Sequence, residues 1–340
     1  IFTAVNHGSA AASGWGIPTA TDIAFAVGIL SILGDRVPVS LKIFLTALAI
    51  ADDLIAILVV ALFYGGTINF GLLAIAFVLI ALVLLMNKLG EKRDWFYLVP
   101  AIAIWSLFYY AGIHSTMSGV VMAFLVPMAP RFNEAYFHRK RLQYIRRLNE
   151  YNGIASTSTE FPNGPQRHCL RRLSAISRDS IGMSYRLEHA LGPWVNFLIM
   201  PIFALANAGV EIPDVSYFNV FQFDQALGSV SMGIFLGLVL GKPLGISLAS
   251  FIAVKLHVGE MPAKASWVML IAVACLGGIG FTMSIFVDTL SFGDQAPEIT
   301  ARLRDMGKVA VLMGSLCAGI LGSILINIVH GIESRKAVKA

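Results

Sequence analysis

Leu48-Ala-Ile-Ala-Asp-Asp-Leu-Ile-Ala56 sets two adjacent carboxylates, Asp52 and Asp53, in the middle of an apolar run over 43–63. Such a run has about the 20 residues that a helix needs to span a bilayer core. A charged side chain in hydrocarbon costs roughly 2.5–3.5 kcal/mol on insertion scales, so it persists where it pairs, lines water or handles an ion. Adjacent residues on a helix diverge by about 100°, so the two acids cannot face one small partner alike. One can meet a cationic side chain while the other lines a cavity. Two acids this close repel, and burial penalises charge, which makes a proton and a cation natural competitors for the site. Oxygen ligands suit a hard cation such as Na+.

The surrounding sequence agrees with a membrane setting. The 340 residues are 57% hydrophobic and only 13% charged, against about 25% charged in soluble domains. Nine apolar segments are expected, near 17–33, 43–63, 68–86, 96–111, 113–127, 190–210, 226–254, 267–292 and 306–329. The alternating segments of about 10 residues that mark a transmembrane β-barrel are not evident. The fold class is therefore all-α, a polytopic transmembrane helical bundle. Cys169, Cys275 and Cys317 make neither a metal motif nor a disulfide framework. The start at Ile1 lacks the basic and long apolar stretches of a signal peptide, and reads as a point inside a longer protein.

Charge gives the topology. Residues 128–189 hold 11 Lys/Arg against 5 Asp/Glu, a surplus of six that exceeds the net +5 of the whole chain. The positive-inside rule accounts for that excess better than nucleic-acid binding does. With two segments between Trp95 and Met128, broken near Gly112, 21 of the 25 cations fall on one side. Arg302, Arg304 and Lys308 fall on the other, and Lys242 lies inside a segment. The basic side is then cytoplasmic, with the C-terminus on it. Four regions follow: 1–127 with five membrane segments and the Asp-Asp site, 128–189 as a basic, partly disordered cytoplasmic loop, 190–330 with four segments, and 331–340 as a cytoplasmic tail. Arg139-Lys-Arg141 and Arg171-Arg172 are a candidate surface for anionic membrane lipid.

Two segments carry helix breakers. Gly14-Trp-Gly-Ile-Pro-Thr-Ala-Thr-Asp22 lies in the first and Cys275-Leu-Gly-Gly-Ile-Gly-Phe-Thr-Met-Ser284 in the eighth. Unwound backbone inside a membrane is tolerated where it is buried in protein or lines a cavity. A pair of interrupted segments points to a transporter's ion site. Half-helix ends carry opposed partial charges, so Asp22 is expected near facing N-termini and Lys242 near facing C-termini. Lys242 also needs an acidic partner, and Asp52 is the best candidate.

Five stretches together resemble the NhaA family of Na+/H+ antiporters. They are Thr19-Ala-Thr-Asp-Ile-Ala-Phe25, Leu48-Ala-Ile-Ala-Asp-Asp-Leu54, Arg186-Leu-Glu-His189 with Pro201-Ile-Phe-Ala-Leu-Ala-Asn-Ala-Gly209, Gly241-Lys-Pro-Leu-Gly-Ile246, and Gly280-Phe-Thr-Met-Ser-Ile-Phe286. The resemblance implies an inverted-repeat fold with two interrupted, crossing helices. It implies a secondary transporter and not an enzyme, exchanging Na+ or Li+ for H+ across the bacterial inner membrane, electrogenic and pH-regulated, by alternating access. It implies no cofactor; the partners expected are the transported ions and membrane lipid, with a homodimer as a candidate assembly. Asp53 and Asp52 would bind the metal ion and protons, with Thr21 and Asp22 beside them and Lys242 compensating charge. Glu188, His189 and His114 would sense pH. The family has twelve transmembrane helices, so three would precede the nine seen here. Asp288 stands where the family pattern leads one to expect a small residue, and the 131–180 loop has no matching motif.

Two other functions fit less well. A Na+-coupled symporter of bile-acid-transporter architecture would need a roomy organic-anion site, which the Asp52-Asp53 and Lys242 set does not obviously build. An intramembrane aspartyl protease needs two aspartates sharing a proton, and Lys242 would spoil that pair.

Overall fold

The computed structural model describes residues 1–64, 68–91, 93–130, 132–154, 162–207, 209–210, 220, 229–263, 265–292 and 297–339. The described residues are helical, with no strand among them. The longest apolar helices are Val39–Phe63, Phe70–Lys88, Met183–Asn207, Val230–Lys255 and Pro297–Lys339. Among the described residues five helices are long and apolar enough to cross a membrane, and seven when each of two bent pairs counts as one span. The remaining two of the nine expected segments are the short helices Trp95–Tyr110 and Thr116–Leu125. The second has 10 residues, which rise about 15 Å, half of a bilayer core.

Local chemistry sets the ends of these elements. The Asn69 side chain accepts from the backbone N–H groups of Gly71 and Leu72, capping Phe70–Lys88. Gly112, at φ +81°, turns the chain between the two short helices in a conformation that costs a side-chain-bearing residue far more. Many apolar side chains of the long helices and the broken spans point outward. Ile32 is 86% exposed, Leu205 81% and Leu316 65%. Such a surface would be an aggregation liability in water and is the expected face toward lipid.

The chain divides into two compact units, 1–65 with 199–340, and 66–198. This division is by packing, whereas the boundaries near 127, 189 and 330 follow chain order. The first unit has two buried clusters, one around Ile17, Ala20, Ala56, Ile234 and Leu238 and one around Leu30, Leu45, Leu270, Val273 and Leu276. The second unit packs Val83, Tyr97, Ile104, Phe108 and Met122 together.

The basic segment departs from the expected loop. It holds two helices, Glu134–Ile154 and Gly164–Asp179. Polarity was the wrong guide there: Arg, Lys, Gln, Glu and Leu are all strong helix formers. Asn163 and Gln166 close a reciprocal capping box at the start of the second helix. The Ser156-Thr-Ser-Thr-Glu160 run and Arg131 lie outside the described residues.

Candidate functional site

The site is built where the two broken spans of the first unit meet. The first is a 3-10 helix, Ala10–Thr19, followed by Ile23–Leu33, with a bend of 41°. Between them Ala20 is extended, and Thr21 and Asp22 are buried. The second pairs Trp267–Leu276 with Phe281–Ser291 at 52°. The two breaks are joined directly, because the Asp22 N–H donates to the Ile279 carbonyl at 2.7 Å. At the second break the backbone also lies against the Val230–Lys255 helix, so closely that a Cβ on Gly278 would overlap the Leu238 carbonyl.

Asp22 serves two helix starts. Its Oδ1 accepts from the Phe25 N–H at 3.1 Å, capping its own half-helix. Its Oδ2 accepts from the Thr282 N–H at 3.0 Å and from the Thr282 hydroxyl at 2.5 Å, at the first turn of Phe281–Ser291. A carboxylate there offsets the partial positive charge of two helix N-termini. The Ser315 hydroxyl accepts from the Gly280 and Phe281 N–H groups at 3.2 and 3.1 Å. The start of that half-helix therefore leaves few donors unsatisfied.

Thr21 links the break to the charged pair. Its hydroxyl lies 2.8 Å from Asp52 Oδ2 and 3.2 Å from the carbonyl of Gly277, which caps the C-terminus of Trp267–Leu276. The single hydroxyl proton can serve one of these acceptors at a time. The same oxygen accepts from the Lys242 ammonium, whose Nζ is also 3.2 Å from Asp52 Oδ2. The lysine side chain is 11% exposed and that of Asp52 24%. Pro243 has no N–H to continue the helical ladder, and a π-turn over Gly237–Gly241 widens the helix just before Lys242. Such bulges often mark functional sites.

Asp53 differs from its neighbour. Its Oδ1 is buried without a hydrogen-bond partner among the described residues, while Lys242, Asp22 and Asp52 all act on it electrostatically. A cavity of about 490 Å³ opens beside the pair, lined among others by Trp15, Thr19, Asp52, Gly241 and Lys242. The two acids stand differently toward this cavity. Asp52 both meets the lysine and lines the cavity, and Asp53 is not among the cavity's lining residues. The reason is rotational: the helix face that carries Asp52 toward Lys242 is the face open to the cavity.

Glu188, His189 and His114, the residues expected to sense pH, lie in the second unit. Glu188 and His189 are exposed near the start of Met183–Asn207. The His189 ring lies 3.9 Å from that of Tyr185, and its Nδ1 is 3.0 Å from the Tyr185 carbonyl. His114 sits in the turn between the two short helices. Nearby in sequence, Arg186 pairs with Asp94 at 2.7 Å and approaches Asp179 at 3.7 Å. Sequence reasoning did not single out that cluster, nor Thr282 and the Gly277 carbonyl at the meeting of the broken helices. Thr282 was visible only within the Cys275–Ser284 breaker stretch and the Gly280–Phe286 motif.

Comparison with known proteins decides the family. The Na+/H+ antiporter 1 family matches residues 1–326. The chain belongs to that family. It is 40% identical over 338 residues to the Na(+)/H(+) antiporter NhaA of Oleidesulfovibrio alaskensis, covering 99% of this chain and 72% of that protein. It is 41% identical over 324 residues to the NhaA of Syntrophobacter fumaroxidans, covering 95% of this chain and 66% of that protein. A third NhaA, from Bacteroides thetaiotaomicron, is 40% identical over 329 residues, 97% of this chain and 71% of that protein. The antiporter family is one of membrane transporters and not of enzymes. The all-helical architecture and the two bent helix pairs accord with its transmembrane fold.

Proposed function

We propose that the chain exchanges Na+ or Li+ for H+ across the bacterial inner membrane, with Na+ and H+ competing for Asp53 and Asp52. One observation carries this. Two adjacent aspartates, one paired with a largely enclosed lysine and the other with a buried oxygen that no described residue bonds, stand beside two broken helices in a chain of an antiporter family. The cation would take oxygens from Asp53, Asp52 and Thr21. Lys242 would hold Asp52 while the site is empty of Na+ and release it when Na+ or a proton arrives. With two carboxylates and one monovalent ion, two protons leave as one Na+ enters, so each turnover moves net charge. Asp22 would keep the crossing of half-helices together while the site opens to one side and then the other.

The basic surplus of 128–189 supports a cytoplasmic C-terminus, and the same arginines support contact with anionic lipid. We propose a homodimer in the membrane. The decisive experiment is a pH-jump assay in everted vesicles holding the protein, read with a pH-sensitive dye while Na+, Li+ and K+ are added in turn. Na+ and Li+ are expected to dissipate the gradient and K+ to leave it. A properly inserted protein that responds to none of them would overturn the assignment.

Control by pH is assigned to Glu188, His189 and His114, because imidazole changes charge in the physiological range. Glu188→Gln with His189→Gln is expected to displace the pH profile of exchange by about half a unit or more. A profile that superimposes on the parent's would remove these two residues from that role.

A further inference from the structure

Asp288 is a buried acid that the ion site does not use. It lies in the third turn of Phe281–Ser291 and is 0% exposed. Neither carboxyl oxygen has a hydrogen-bond partner among the described residues. The carboxyl rests on Gly307 of the last helix, where any Cβ would overlap it. A carboxylate buried with no donor is strongly disfavoured, whereas a neutral acid is tolerated.

Opposite charge is nevertheless within reach. From the last helix Lys308 and Arg304 act on Asp288 attractively and Asp305 repulsively. The Arg304 Nε is itself buried without a hydrogen-bond partner among the described residues, and the Lys308 ammonium donates to the Gly209 carbonyl at 2.8 Å. The other elements packed against the half-helix bring little. Ala10–Thr19 and Met200–Asn207 hold no charged side chain. Val39–Phe63 brings Asp52 and Asp53 of the ion site and Lys42 near its start.

We infer that Asp288 is a second proton-exchanging carboxyl group, separate from the Asp52–Asp53 pair, alternating between a neutral acid packed on Gly307 and a carboxylate paired with Arg304 or Lys308. Its ligand is H+. Pairing would draw the half-helix toward the last helix. The same half-helix supplies Thr282 to Asp22, six residues away or about 9 Å along the axis, so the pull reaches the crossing. Asp288 would thus couple pH to the ion site from the end of the bundle that carries Arg304 and Lys308.

The transport arm of the test rests on the exchange activity proposed above, and the labelling arm does not. In membrane vesicles holding the protein, a hydrophobic carbodiimide is applied over the pH range of exchange, and its adduct at Asp288 is mapped by mass spectrometry. Such reagents attack the protonated acid, so labelling is expected to fall as pH rises. It should persist to higher pH in Arg304→Gln/Lys308→Gln, where the counter-charges are gone. Asp288→Asn fixes the neutral form and is expected to shift the midpoint of the pH profile of exchange by about half a unit or more. Labelling that stays constant across the range, or an Asp288→Asn profile that superimposes on the parent's, would overturn the inference. A parent that shows no Na+-dependent exchange sinks the exchange activity instead, and the labelling curve still decides whether Asp288 titrates.

Discussion

Asp53→Asn is expected to bring Na+- and Li+-driven proton movement down to the background of vesicles without the protein, while the variant inserts and folds. An amide has no proton to release at any working pH and no charge to attract a cation, so both half-reactions stop together. The substitution is nearly isosteric, and the Asp53 Oδ1 makes no hydrogen bond that the amide would forfeit. The change in stability should therefore stay within about 1 kcal/mol. Asp52→Asn is a different perturbation, since it removes the counter-charge of Lys242 and weakens an acceptor of the Thr21 hydroxyl. Transport and thermal stability measured on both variants separate the two roles. An Asp53→Asn protein that still exchanges Na+ for H+ above background would move the principal proton site elsewhere, whatever Asp52→Asn does.

The features that could be read from sequence were those with a local physical cost. Charges at Asp22, Asp52, Asp53 and Lys242 stand out because hydrocarbon penalises them. The breaks at Ala20–Asp22 and Gly277–Gly280 stand out because Gly and Pro do not sustain a helix. The approach of Lys242 to Asp52 follows from the same expense, since an unpaired ammonium in a helix interior has few alternatives. What could not be read is pairing through space without a charge to announce it. Thr282 meets Asp22 across 260 residues, and a threonine in an apolar helix signals nothing by itself. The π-turn before Lys242 had a weak sign in Gly237, Gly241 and Pro243, but glycine also serves simple helix packing. Which acid faces the cavity depends on helix rotation, which two adjacent aspartates leave open. The helices inside the basic segment are hidden because charge density marks solvent exposure, while Arg, Lys, Gln and Leu favour a helix all the same.

Lys242→Ala is expected both to impair exchange severely and to destabilise the protein. The ammonium is nearly enclosed and is shared between Asp52 Oδ2 and the Thr21 hydroxyl. Removing it leaves the Asp52 carboxylate facing only the Thr21 hydroxyl, with Asp53 adjacent and Asp22 close by, so three acids would share the region without their cation. Breaking one side of a well-buried ion pair costs about 3–5 kcal/mol. Asp52 is partly open to the cavity, so water there can relieve part of that cost, and a loss of about 2–3 kcal/mol is expected. A second substitution, Asp52→Asn in the Lys242→Ala background, removes the stranded charge and should recover most of the stability without recovering exchange. That separation of the two readouts is what a charge-compensating lysine requires. The alternative is an anchor that snorkels its ammonium to the headgroups. An anchor would give a Lys242→Ala variant with unaltered exchange and thermal stability, and no stability to recover in the double variant.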